Sequence, residues 1–201
     1  MAKIAQYHLY KAHPEKLRFQ VYNLTEYRKR NSEKAAEAHS HSYYQIIWFF
    51  EAGGTRTVDF ESFDIQKNTV LSISKDQIHA FDENLEVKGW LIHFNESFFM
   101  HTDVDIFFKH NIFNIQKHPC YAIDLATAEI GISYISLIQR ELCTPNGFGK
   151  EEVIRFLLKS FLITLDRDHR TTSENTIELT SQHELQFFKA KRTCRRELQS
   201  A

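Results

Sequence analysis

The stretch His39 to Phe50, HSHSYYQIIWFF, constrains this chain more than any other. Side chains on an extended strand alternate between its two faces. His39, His41, Tyr43, Gln45, Ile47 and Phe49 therefore share one face, and Tyr44, Ile46, Trp48 and Phe50 share the other. Two imidazoles and a carboxamide on an otherwise apolar face need a reason, because burying unpaired polar groups is costly. Either they line a cavity that receives something or they satisfy one another.

The 201 residues suffice for one domain with a good core plus an appendage. Apolar residues make up 42% and charged ones 25%, with a net charge of −1. That balance gives no overall pull toward nucleic acid or an anionic membrane. No apolar run reaches the length of a membrane span. The N-terminal MAKIAQYHLYKAHPEK lacks the apolar core of a signal peptide, so the expected residence is cytoplasmic. Three widely spaced cysteines, Cys120, Cys143 and Cys194, fit free thiols better than a disulfide framework.

Along the chain, Leu17–Tyr22 alternates and reads as a first strand, and Asn31–Ala38 reads as a loop or a single helical turn. The organising strand, from about Ser42 to Glu51, stops at Gly53-Gly54, a turn signal. Thr55–Phe60 reads as its returning hairpin partner. Thr69–Ser74, Gln77–Phe81 and Glu86–Phe94 are further strands, and such regular short spacing predicts a sandwich or barrel. From Asn95 the chain becomes Phe-rich (Phe98, Phe99, Phe107, Phe108, Phe113), which suits short helices under a sheet.

Asp124 reads as the N-cap of a helix from Leu125 to about Leu142, ended by Thr144-Pro-Asn-Gly147. Ile130, Tyr134, Leu137, Ile138 and Leu142 fall on one face, with Leu125, Ala128, Ile132 and Ile135 beside them. A second helix, Lys150 to about Arg167, completes an αα-hairpin. Its apolar face, like the first helix's, is wider than mutual packing requires, which predicts a homodimer through the 125–167 helices. His169–Glu178 reads as a linker, and Leu179–Ala201 as a short tail ending in Lys189, Lys191, Arg192, Arg195 and Arg196.

Imidazoles two apart on a strand, joined by His79 from a neighbouring strand, can converge on one ligand or one metal ion. Gln45, on the same face, would be the fourth donor, but it offers a neutral carbonyl where an acid would offer an anionic oxygen. Metal on His39, His41 and His79 and a metal-free ligand pocket both remain open at this point, as does a filled core.

The series His39-x-His41, Gln45, Gly53-Gly54, Thr-Val-Asp-Phe, Asn68-Thr-Val-Leu-Ser-Ile-Ser and His79 resembles the sensor domain of AraC-type transcription regulators. The resemblance covers about Leu17 to Asp166. It implies a mainly β fold with C-terminal helices: a cupin, or double-stranded β-barrel (jelly roll), followed by an antiparallel αα-hairpin that dimerises. His39, His41 and His79 match the metal-binding cupin signature, while Gln45 stands where that signature has Glu. The departure implies a metal-free effector pocket, with no cofactor. On this reading residues 1–120 form the sensor, 121–169 the hairpin and 170–201 a linker and basic tail. The helix-turn-helix DNA-binding domain is then expected to be missing, so that DNA is reached only through a missing C-terminal part. Residues Met1 to Pro14 are candidates for a mobile arm.

The expected effector contacts are His39, His41, Tyr43, Gln45, His79 and His93. His93 joins them if the Val87–Gly89–Leu91–His93 face of its strand points inward, which places Trp90 outside. Arg56 is expected to face water, with pairing to Asp59, Glu51 or an anionic effector as alternatives. Cys143 has no base near it in sequence and is not expected to be a nucleophile. The runner-up function is a metal-dependent cupin enzyme, a small-substrate isomerase or dioxygenase, using His39, His41 and His79. A plain interaction module would show a filled interior with no cavity beside Gln45.

Overall fold

The computed structural model describes residues 4–9, 17–81, 87–99, 119–145 and 147–174. The chain divides into two units, 1–169 and 170–201, and the second is described only over 170–174. Phe107, Phe108, Phe113, Cys194 and the basic tail, for which the sequence sets expectations, lie outside the described residues.

The described residues form ten strands: β1 (Ala5–Tyr7), β2 (Phe19–Asn23), β3 (His39–His41), β4 (Tyr44–Phe49), β5 (Thr55–Val58), β6 (Glu61–Asp64), β7 (Thr69–Ile73), β8 (His79–Ala80), β9 (Gly89–Phe94) and β10 (Cys120–Ala122). Three α-helices accompany them, α1 (Leu24–Ala36), α2 (Leu125–Cys143) and α3 (Lys150–Glu174). The strands make two five-stranded sheets, in the orders β1-β3-β8-β5-β6 and β10-β7-β4-β9-β2. Every pairing is antiparallel except β1 with β3. The molecule is thus mainly β with C-terminal helices. No described strand belongs to both ladders, so these residues form two sheets and not a closed barrel. Among them no helix is long and apolar enough to cross a membrane.

Alternation along β4 decides the layering. Ile47 and Phe49 join Leu71, Ile73, Leu91, Val58 and Ile65 in an inner cluster drawn from both sheets. Ile46 and Trp48 join Val70, Ile92 and Phe94 in an outer cluster that α2 and α3 cover with Ile135, Ile138, Leu158, Phe161 and Leu165. A strand buried on both faces reads as a continuous apolar run, which is what Ile46–Phe49 is. Gly131 brings α2 down onto the outer face: a Cβ there would lie 2.9 Å from the Trp48 ring.

Several local expectations are corrected. Strands β4 and β5 do not form a hairpin; the chain changes sheet at Gly53-Gly54, where Gly53 N–H donates to the Ile65 carbonyl at 3.0 Å. The tight turn is Asp59-Phe60 between β5 and β6, with φ of 47° and 72°. Positive φ at both positions suits the right-handed twist of a two-residue hairpin. The Asp59 carboxylate fastens that turn by accepting from Gln77 Nε2 at 2.9 Å and Ile78 N–H at 2.8 Å. The presumed loop at Asn31 lies within helix α1, whose N-cap Asn23 accepts from Glu26 N–H at 3.1 Å.

On α2 the Asp124 cap is present, its Oδ1 accepting from Thr127 N–H at 2.6 Å. The buried stripe, however, is Thr127, Ala128, Gly131, Ile135 and Ile138, and Ile130 is 47% exposed. Helix α3 continues past the expected linker start to Glu174. Arg56 does not face water. It is 2% exposed, with its guanidinium over the Phe49 and Phe81 rings and Nη1 donating to the Thr55 carbonyl at 2.8 Å.

Candidate functional site

Strands β3 and β8 pair with His39 directly opposite His79. Adjacent side chains on one face of an antiparallel pair meet, and the His39 and His79 rings are 4.4 Å apart. His41, two residues on, lies 4.9 Å from His39 and 4.7 Å from His79. Strand β4 lies in the other sheet, yet the alternation carries through the bend at Ser42-Tyr43. Tyr43 stacks on His41 at 4.4 Å, and Gln45 is 1% exposed. His93 on β9 stands opposite Gln45 in the ladder, 4.7 Å from Tyr43 and 6.0 Å from His41.

Three tyrosines absent from the expected set enclose this group. Tyr7 on β1 sits against His39 and His41 at 5.2 and 6.0 Å, while Tyr22 and Tyr27 set their rings against His93. Strand β1 is held in place by the Ser42 N–H donating to the Tyr7 carbonyl at 2.9 Å and by Gln6 Nε2 donating to Asp76 at 2.7 Å. Its signal in the sequence is three residues long, too short to distinguish from coil. Tyr27 sits on a helix whose apolar periodicity is weak.

Burial sets the protonation of the cluster. The His93 imidazole is pushed down to about 3 by burial, then by the nearness of His79. His79 falls to about 4, again by burial first and by His39 second, against small opposing effects of the Gln77 backbone and Asp59. His41 is held far below the ordinary histidine range by burial and its three histidine neighbours, and burial raises the Tyr43 phenol. His41, His79 and His93 are therefore neutral at pH 7, imidazole lone pairs beside the un-ionised Tyr43 phenol.

The backbone selects the tautomers. His39 Nδ1 is 2.7 Å from the Glu37 carbonyl and His79 Nδ1 is 3.3 Å from the Gln77 carbonyl. A carbonyl only accepts, so each Nδ1 carries the proton and each Nε2 is a bare lone pair. His79 Nε2, His41 Nδ1 and His93 Nε2 are buried with no hydrogen-bond partner. Among the described residues, His39, His41 and His79 offer nitrogens that all lie within 4.8 Å of one another. His79, with Nδ1 on a backbone carbonyl and Nε2 unpartnered, has the arrangement a metal ligand requires, and with His39 and His41 converging beside it these three residues fit a metal ion.

A cleft of about 740 Å³ opens here, walled by His39, His41, Tyr43, Gln45 and His93 together with Tyr7, Tyr22 and Tyr27, and it runs on past edge strand β2. Five of the six residues named from the sequence lie on this wall; His79 stands behind, against His39 and His41. The face carrying His93 points inward and Trp90 packs against the outer cluster. A cavity beside Gln45 is at odds with a plain module of filled interior.

No family model and no curated protein matches the chain. Among solved structures it is similar to a crystal structure of apo ToxT, a lysine-to-alanine variant, from Vibrio cholerae strain SCE256. Identity is 14% and the TM-score 0.38, over 76% of this chain and 57% of that one. So slight a likeness does not establish a shared fold, and the chain spans little more than half of that protein's length, so the site itself has to carry the functional reading.

Proposed function

We propose that this chain is the ligand-sensing part of an AraC-type transcription regulator, cytoplasmic and not an enzyme, and that its two sheets are a cupin-type jelly roll. One observation carries the reading: the inner space between the sheets is packed with hydrocarbon at one end and opens at the other into a cleft of about 740 Å³, which begins at His39, His41, Tyr43, Gln45 and His93 and runs out past β2 to Glu26 and Arg30. Unpartnered buried nitrogens cost stability unless something binds them, and a small effector meeting His39, His41, Tyr43, Gln45 and His93 on the cleft wall, with His79 behind them, supplies partners for His41 and His93. Strand β1 is the element best placed to report occupancy, because Tyr7 rests on the same imidazoles a ligand would touch. A ligand that binds better with β1 in one placement than in another shifts the strand toward that placement.

The αα-hairpin serves a homodimer on this reading. Beyond the faces that cover the sheet, α2 exposes Leu125 and Ile132 and α3 exposes Phe156, at 68%, 47% and 61%. Replacing Ile132 and Phe156 together by Lys yields a monomer in sedimentation velocity where the parent chain is dimeric; a parent chain that is monomeric at high micromolar concentration removes this part.

The sensing claim is tested by thermal-shift screening against neutral, cationic and anionic metabolites. A bound effector at a hundredfold excess over its Kd stabilises by about 2.7 kcal/mol. His41→Phe and Gln45→Leu abolish that shift on this reading. Compounds that stabilise both variants as well as the parent bind elsewhere and overturn it.

A further inference from the structure

The fit of His39, His41 and His79 to a metal leaves a question about the fourth donor. Gln45 occupies the position at which the cupin signature carries its carboxylate, and a neutral amide oxygen is a weak ligand for a divalent ion. The residue opposite Gln45 across the β4–β9 ladder is His93. His93 is 2% exposed, and its Nε2 is buried with no hydrogen-bond partner. Four imidazoles thus gather at one end of the inner space, and at least two of them have tautomers that leave Nε2 unprotonated.

The spacing decides how near this set is to a coordination shell. With metal–nitrogen bonds of about 2 Å, two imidazole rings on one tetrahedral ion have centroids roughly 5 Å apart. The three signature histidines are separated by 4.4, 4.7 and 4.9 Å. His93 lies 6.0 Å from His41, about an ångström beyond that spacing.

We propose that His93 takes the place of the signature's carboxylate, giving an all-imidazole centre of His39, His41, His79 and His93. This rests on the metal fit of the first three residues, not on the effector reading. The donor set has a chemical consequence. Imidazole suits zinc, copper(II) and nickel(II), whereas magnesium, calcium and manganese(II) are bound by carboxylate, carbonyl and water oxygens. With no anionic oxygen in the set, the site selects late divalent first-row ions. Tyr43, stacked on His41 and packed on His93, holds both rings on the inner face.

The full chain, stripped with chelator and checked for retained fold by far-ultraviolet circular dichroism, is titrated separately with cobalt(II), zinc, manganese(II) and magnesium. One equivalent of zinc or cobalt is bound, the cobalt form shows visible absorption bands of a nitrogen-ligated ion, and manganese and magnesium do not compete at a hundredfold excess. His93→Gln weakens zinc binding by roughly 10–100-fold and shifts the cobalt bands. His93→Glu, which returns a carboxylate to the set, raises manganese affinity at least about tenfold. Folded His93→Gln and His93→Glu proteins with the parent's zinc affinity, cobalt spectrum and metal preference overturn the role of His93 and leave the three-histidine site standing. A folded parent chain that takes up neither zinc nor cobalt removes the metal fit, and the inference with it, while leaving the effector reading untouched.

Discussion

The inner space between the sheets has two ends made by the same alternation of the same stretch of chain. Toward Phe49 it is closed, with Ile47, Phe49, Leu71 and Leu91 each at most 1% exposed. Toward His39 it holds four imidazoles, a carboxamide and a cleft, with three ring nitrogens buried and unpartnered. The first end is organised for stability. The second keeps groups whose burial is a cost to folding, and a folded chain retains such groups where they meet a ligand. The difference lies in what fills equivalent positions, not in the backbone that presents them.

That contrast can be broken most sharply at Phe49. Truncation to Ala leaves a cavity at the closed end and removes the ring under Arg56, costing roughly 3–5 kcal/mol in urea unfolding. A cost below about 1 kcal/mol would mean that the closed end is not packed as described. Acid comes next, and at the open end it acts through the imidazoles. In the folded chain His41, His79 and His93 titrate below the unfolded value of about 6.5, so their contribution is whole above that pH. It is lost as pH falls toward about 4 for His79 and about 3 for His93. In the metal-free protein this loss is on the order of 3 kcal/mol for His79, read as a falling urea midpoint between pH 6.5 and 4; a flat profile would contradict burial of the neutral rings.

The outer face provides a control. Gly131→Val places a side chain against the Trp48 ring and costs about 1–3 kcal/mol by overpacking, with no effect on ligand or metal uptake. The smallest effect has the opposite sign. His41→Phe fills the open end with an apolar ring of similar size and removes an unpartnered nitrogen, so stability is unchanged or rises by up to about 1 kcal/mol. A loss as large as that of Phe49→Ala would show that His41 is a structural residue.

The sequence alone determined what depends on near neighbours in the chain. The two faces of His39–Phe50, strand β7, the Asp124 cap and the limits of α2 follow from alternation, helical spacing and capping chemistry, each read within a few residues. The inward face of β9 followed from parity once its direction was granted. Tertiary structure alone decided which strand meets which: β5 with β6 in place of β4, and His39 opposite His79 across forty residues of chain. It also placed Tyr7 and Tyr27 beside the imidazoles and drew Arg56 inside over two aromatic rings, although a charged residue beside a turn gives every local sign of exposure. Such pairings are settled by how two sheets stack and which surplus faces they bury, a property of distant segments together that no window along the chain contains.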